Sequence, residues 1–83
     1  ILTGAVFKRA DLAKAIFQET NLWCADLNEA DLTSTYFLQV NLNRANLRSA
    51  NLRGSLIKKT SFWQTNFENA WLEGVCFQRA VFN

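Results

Sequence analysis

Every fifth residue from Leu2 to Phe82 is Leu, Phe or Ile, and this register runs the length of the chain without an insertion or slip. Two positions before each of these residues sits a small side chain: Ala5, Ala10, Ala15, Ala25, Ala30, Ala45, Ala50, Ala70 and Ala80, and elsewhere Thr, Ser or Val. A period of five fits neither the 3.6 of an amphipathic helix nor the 2.0 of a half-buried strand, so no regular element can run on uninterrupted. The chain must turn within every unit. Residues two apart on an extended segment point to the same side, which puts Ala10 with Leu12, Ala30 with Leu32 and Ala50 with Leu52 on one buried face. The remaining positions face solvent and form a corner, and they carry polar types such as Lys8 and Arg9, Asn28 and Glu29, Arg48 and Ser49, and Glu68 and Asn69. Repetition at a fixed short period marks a solenoid whose units bury a face only by stacking.

The number of units per coil follows from reading columns at different strides. A stride of twenty residues gives the most uniform columns: Leu12, Leu32, Leu52 and Leu72 in one, with Ala10, Ala30, Ala50 and Ala70 beside it. Another column reads Phe17, Phe37, Ile57, Phe77. Side chains of matching size stack in a narrow core, so the columns predict a four-sided coil. With coils about 4.8 Å apart, roughly four of them make a rod on the order of 20 Å long. Asn or Asp often lies between the two inward residues, as at Asp11, Asn21, Asp26, Asp31, Asn41, Asn46, Asn51 and Asn66, where such side chains bond their own backbone in tight turns. Gly4, Gly54 and Gly74 fall on the last corner position of their units, where a positive φ is wanted.

The runs Ala10-Asp11-Leu12, Ala25-Asp26-Leu27, Ala30-Asp31-Leu32, Ala45-Asn46-Leu47 and Ala50-Asn51-Leu52 resemble the A(D/N)LXX motif of pentapeptide-repeat proteins. The resemblance covers essentially the whole chain. It implies an all-β fold, a right-handed quadrilateral β-helix, and the style of the repeats is similar to members abundant in cyanobacteria and plastids. The chain departs from the motif where Leu56, Ser61, Trp71, Cys76 and Val81 replace the Asx residue, and different turn details are expected there.

At 83 residues this is one small domain, residues 1–83, in which each unit contributes a Leu or Phe worth roughly 1.5–3 kcal/mol when fully buried. Repeat arrays generally need polar caps, and none is evident beside Leu2 or Phe82, which leads to the expectation that the chain is a segment of a longer protein or has its ends covered. Absence of Pro suits a backbone whose donors are all needed between coils. No apolar stretch approaches the roughly 20 residues of a membrane span. Cys24 and Cys76 are 52 residues apart, about 2.6 coils or on the order of 12 Å along the axis, too far for the ~7 Å limit of a disulfide. They read as two free thiols, which favour a reducing compartment such as the cytoplasm.

Enzyme chemistry finds few candidates. The chain has no His, and its two Cys cannot make a zinc site alone, so no metal or cofactor is expected. Asp11 and Asp31 fall one coil apart in an outward column, but a convex surface offers no pocket to shift their pKa values, and they read as turn-forming residues.

The surface carries more information. Arg44, Arg48, Arg53, Lys58 and Lys59 are close in sequence but spread around a four-sided coil, and Arg9, Arg48 and Arg53 each have an acid one coil away, Glu29, Glu68 and Glu73. A diffuse belt of this kind argues against direct nucleic-acid binding. On the face with the aromatic inner column, the outward position holds Ile16, Tyr36, Leu56 and Cys76, with Leu38 close by. A coil-to-coil apolar ridge suggests a surface covered by something else. These five residues are the candidate protein-binding site, for another protein, a neighbouring domain or a second copy. Trp23 and Trp63 share another column and either anchor a partner or cover a corner. The leading reading is a non-catalytic scaffold or spacer. A second comes from the resemblance, which includes proteins that mimic DNA and bind type II topoisomerases; a net charge of +2 argues against it.

Overall fold

In the computed structural model, residues 2–82 are described. They wind as a four-sided β-helix in which residue n pairs in parallel with residue n+20. The ladders Asp11↔Asp31, Asp31↔Asn51 and Asn51↔Trp71 fix that register on one face, and Ile16↔Tyr36, Tyr36↔Leu56 and Leu56↔Cys76 fix it on another. The molecule measures 25 × 22 × 20 Å, in keeping with the length expected from the coil count, and it is nearly as wide as it is tall.

One unit explains both the absence of Pro and the presence of Asx. The Leu27 N–H donates to Asn46 O in the next coil, Glu29 N–H to Arg48 O, and Asp31 N–H back to Ala10 O in the previous coil. Ala30 N–H closes the turn onto Leu27 O. That leaves Asn28 N–H, which donates to Asp26 Oδ1 at 3.0 Å. All five backbone donors are therefore engaged, and a Pro at any of these positions would remove one. The same Asx contact recurs at Asp11, Asn21, Asp31, Asn41, Asn46, Asn51 and Asn66. Ser61 breaks the series, and there Asn43 Oδ1, one coil earlier, accepts from Trp63 N–H instead.

Each unit turns through a positive φ at its last corner position. Gly4, Gly54 and Gly74 adopt it as expected, and thirteen other residues do the same, from Arg9 (φ 62°) to Arg79 (φ 54°). With the turn-closing bond and ordinary φ at the preceding residue, the Asx-bearing faces have type II turns.

The core is complete only in the middle of the stack. Leu22, Leu27, Leu32, Phe37, Leu42, Leu47, Leu52 and Ile57 are wholly buried, while the inward column positions Leu2, Leu72, Phe77 and Phe82 stay partly exposed at the two ends. Phe17 and Phe37 stack at 5.0 Å between centroids and 7° between planes. Where the small column holds hydroxyls, they are satisfied inside: Thr35 Oγ1 and Ser55 Oγ both bond Leu32 O, and Ser55 Oγ also accepts from Thr35 N–H.

Candidate interaction face

The face centred on Phe17, Phe37, Ile57 and Phe77 is built differently from the other three. Here the chain stays extended for three residues in each coil, giving β1 (Ile16–Gln18), β2 (Tyr36–Leu38), β3 (Leu56–Lys58) and β5 (Cys76–Gln78). Two short strands on the next face, β4 (Ser61–Phe62) and β6 (Val81–Phe82), pair with each other, again where Asx is missing. The four strands form one parallel sheet in the order β1-β2-β3-β5. With Ile, Tyr, Leu and Cys where the other faces carry mostly Asx, this face is served by ladder pairing in place of Asx-capped turns.

Side chains alternate across the sheet. The central residue of each strand points into the core and its two neighbours point out, so Ile16, Tyr36, Leu56 and Cys76 come together as a continuous outward column. Ile16 is 71% exposed, Tyr36 and Leu56 are half-buried by their neighbours, and Cys76 is exposed. Leu38 lies on the parallel outward line, between Gln18 and Lys58. All five candidate residues thus share one sheet surface. Beside the ridge, at the preceding corner, Ser34, Gly54 and Gly74 make a low shoulder on which Gly74 sits against the Gly54 backbone. The sequence reading missed this shoulder, although the same twenty-residue stride picks it out.

Other sequence candidates fall elsewhere. Trp63 is 44% exposed at a corner under the Arg44 guanidinium, 5.1 Å from its ring centroid, and Trp23 lies two coils away in the same column. Arg9–Glu29 and Arg48–Glu68 form the expected ion pairs at 3.5 and 3.0 Å. Arg53 does not join Glu73; it donates to Asn51 Oδ1 and lies 4.1 Å over the Trp71 ring, because the flat indole one coil away offers its guanidinium a stacking surface. Cys24 and Cys76 are free thiols. Asp31 is held below the usual carboxylate range, first by the Thr33 backbone N–H and then by the Thr33 hydroxyl, the opposite of what a general acid needs. No pocket and no metal-ligand cluster occurs among the described residues, and no helix there is long and apolar enough to cross a membrane.

A square β-helix of stacked five-residue units, with Ala and Leu inside and Asx at the turn, defines a pentapeptide-repeat solenoid. The family model described as pentapeptide repeats matches in eight copies across residues 1–22, 10–48, 25–64 and 45–83, and the chain belongs to that family. Its fold is similar to that of the solved pentapeptide repeat protein Rfr23 from the cyanobacterium Cyanothece 51142, at 30% identity and a TM-score of 0.91 over 94% of this chain. The chain spans 54% of that protein's length. Weaker likenesses, to the fold alone, are alr5209 from Nostoc Pcc 7120 (24% identity, TM-score 0.57, 94% of this chain and 84% of that one) and HetL from Nostoc sp. strain PCC 7120 (21%, TM-score 0.52, 96% and 46%). HetL is described as involved in heterocyst differentiation regulation. No curated protein matches the chain significantly. Members of the family are generally non-enzymatic structural repeat proteins and commonly mediate interactions.

Proposed function

We propose that this chain is a non-catalytic scaffold that docks a protein on the sheet formed by β1, β2, β3 and β5. The observation that carries the reading is a parallel sheet with an apolar outer column. A contiguous apolar column on an exposed surface marks a contact site, and here the inner face is covered by the core while Ile16, Tyr36, Leu56 and Cys76 line the outer one. The other faces carry mostly Asx at the equivalent position, and their apolar residues there, Val6, Trp71 and Val81, stand singly toward the ends of the stack and form no column. Chemistry is poorly supported, because Asp11, Asp26 and Asp31 serve turns, Glu29 and Glu68 are paired with arginines, and Asp31 is tuned toward its ionised form. DNA mimicry is disfavoured by the net charge of +2 and by the pairing of Glu29 and Glu68 with arginines.

A photoreactive phenylalanine analogue placed at Tyr36, and in a control at Lys8 on another face, tests the reading in extracts of the source cells. Protein adducts from Tyr36 and few from Lys8 are expected. Equal labelling from both positions, or none from Tyr36, would overturn it.

A further inference from the structure

We infer that the protein docked on this face is a second copy of the same chain, an inference that rests on the docking reading above and goes beyond it by naming the partner. The argument comes from the charges at the edges of the sheet. Along the edge that follows the strands, the corner residues read Glu19, Gln39, Lys59, Arg79, running from acidic to basic down the stack. Along the edge that precedes them, the corner column reads Lys14, Ser34, Gly54, Gly74, and the acidic Glu73 lies one residue before Gly74 in the last coil, in the neighbouring column of Ala13, Thr33 and Arg53. Lys14, Glu19, Glu73 and Arg79 are exposed. None of the four has an ion-pair partner within the described chain, unlike Glu29 and Glu68. Arg53, the remaining charge near the second edge, is turned onto Asn51 and Trp71.

Such an arrangement has opposite signs at neighbouring corners of a rectangle. A partner of uniform charge is matched at two corners and opposed at the other two, whereas a second copy rotated by a two-fold axis lying in the interface is matched at all four. The apolar column selects among the possible axes. With the axis parallel to the strands, the first coil of one copy faces the fourth of the other, so Ile16 meets Cys76 and Tyr36 meets Leu56. Glu19 then meets Arg79, and Lys14 meets Gly74 with the Glu73 carboxylate one residue away. With the axis parallel to the stack, Tyr36 would face Leu38, but Ile16 would face Gln18, Leu56 would face Lys58 and Cys76 would face Gln78, three apolar-on-polar pairs against the single Leu38–Lys58 pair of the first arrangement. The geometry therefore favours the first arrangement, and the side-chain-poor shoulder at Gly54 and Gly74 lets the two sheets approach. A face bounded by a 25 × 22 × 20 Å block buries at most the low end of a standard interface, on the order of 1,000 Å² in total, the size class of weak, reversible association.

Sedimentation equilibrium of the chain from micromolar to millimolar concentration, with circular dichroism to verify folding, tests the pairing. A reversible dimer is expected for the unaltered chain, weakened roughly tenfold or more by Glu19→Lys, because one reversal alters two symmetric contacts. The double variant Glu19→Lys/Arg79→Glu should restore it, and Tyr36→Glu should abolish it without loss of fold. Rescue by Glu19→Lys/Lys14→Glu in place of the Arg79 exchange would overturn the proposed axis. A chain that stays monomeric at millimolar concentration, or a dimer indifferent to Tyr36→Glu, would overturn self-pairing. If Tyr36 still labels a different protein selectively in that case, the docking reading stands and only the identity of the partner fails.

Discussion

On the faces centred on Leu27, Leu32 and Leu42 the residue before the buried centre is Asp26, Asp31 or Asn41, whereas on the face centred on Phe37 it is Tyr36. The inner layers are alike: Leu27, Leu32, Phe37 and Leu42 are all wholly buried. The outer layers close the turn by different means. An Asx oxygen accepts the backbone N–H two residues on in the first group, while in the second the strand runs on for three residues and pairs with the coils on either side. The Asx side chain thereby serves the turn on three faces, with Val6, Ser61, Trp71 and Val81 as the departures. On the fourth the same position is released from that duty and is free to present apolar surface.

The contrast can be pressed by substitution. Inward changes should cost the most and cost alike on both kinds of face: Leu32→Ala about 2–5 kcal/mol and Phe37→Ala about 3–5 kcal/mol in denaturant unfolding. A much smaller loss for Phe37→Ala would mean that the fourth face does not share the core. Next comes the outward position itself. Asn46→Ala removes the acceptor of Arg48 N–H and should cost about 0.5–1.5 kcal/mol, whereas Tyr36→Thr, a strand-compatible change at the same position of the fourth face, should stay within about 0.5 kcal/mol. Equal losses would erase the distinction between the faces.

Much of this was legible in the chain. The inward columns and the apolar ridge of Ile16, Tyr36, Leu56 and Cys76 follow from the stride of twenty, because a stacked coil repeats the same environment at each step. What the stride does not encode is the count of neighbours above and below, so the inward Leu2, Leu72, Phe77 and Phe82 came out partly exposed. It also does not encode rotamers: Arg53 had both Glu73 and Trp71 within reach and took the indole. Left-handed corners were visible only at the three glycines. At Arg9, Glu29 or Ser49 the ladder holds an ordinary residue in a conformation that costs roughly 1–2 kcal/mol, and side-chain identity carries no mark of it.

That strain supplies a smaller test, common to both kinds of face. Ser49→Gly and Gln39→Gly relieve it at φ of 58° and 55°, against the entropy cost of Gly, so each should shift stability by no more than about 1 kcal/mol and in the same direction. Opposite signs would show that the corners of the fourth face differ as well. The smallest effect concerns pH. Because the folded Asp31 carboxyl titrates below its unfolded value, its contribution is present above an unfolded pKa of about 4 and is lost as pH falls through the folded value. Carbon-detected titration should find Asp31 with a depressed pKa, and Asp31→Asn should shallow the acid limb of the stability curve slightly. A normal Asp31 pKa would contradict the Thr33 contacts.

The most direct test that the face centred on Phe37 docks a second copy is a map of backbone amide shifts as the protein is concentrated from micromolar to millimolar. The account predicts movements confined to residues 14–20, 34–40, 54–60 and 73–79, with the Asx-bearing faces unchanged. Movements centred on the exposed ends at Leu2, Leu72 and Phe82, or an unchanged spectrum, would contradict it.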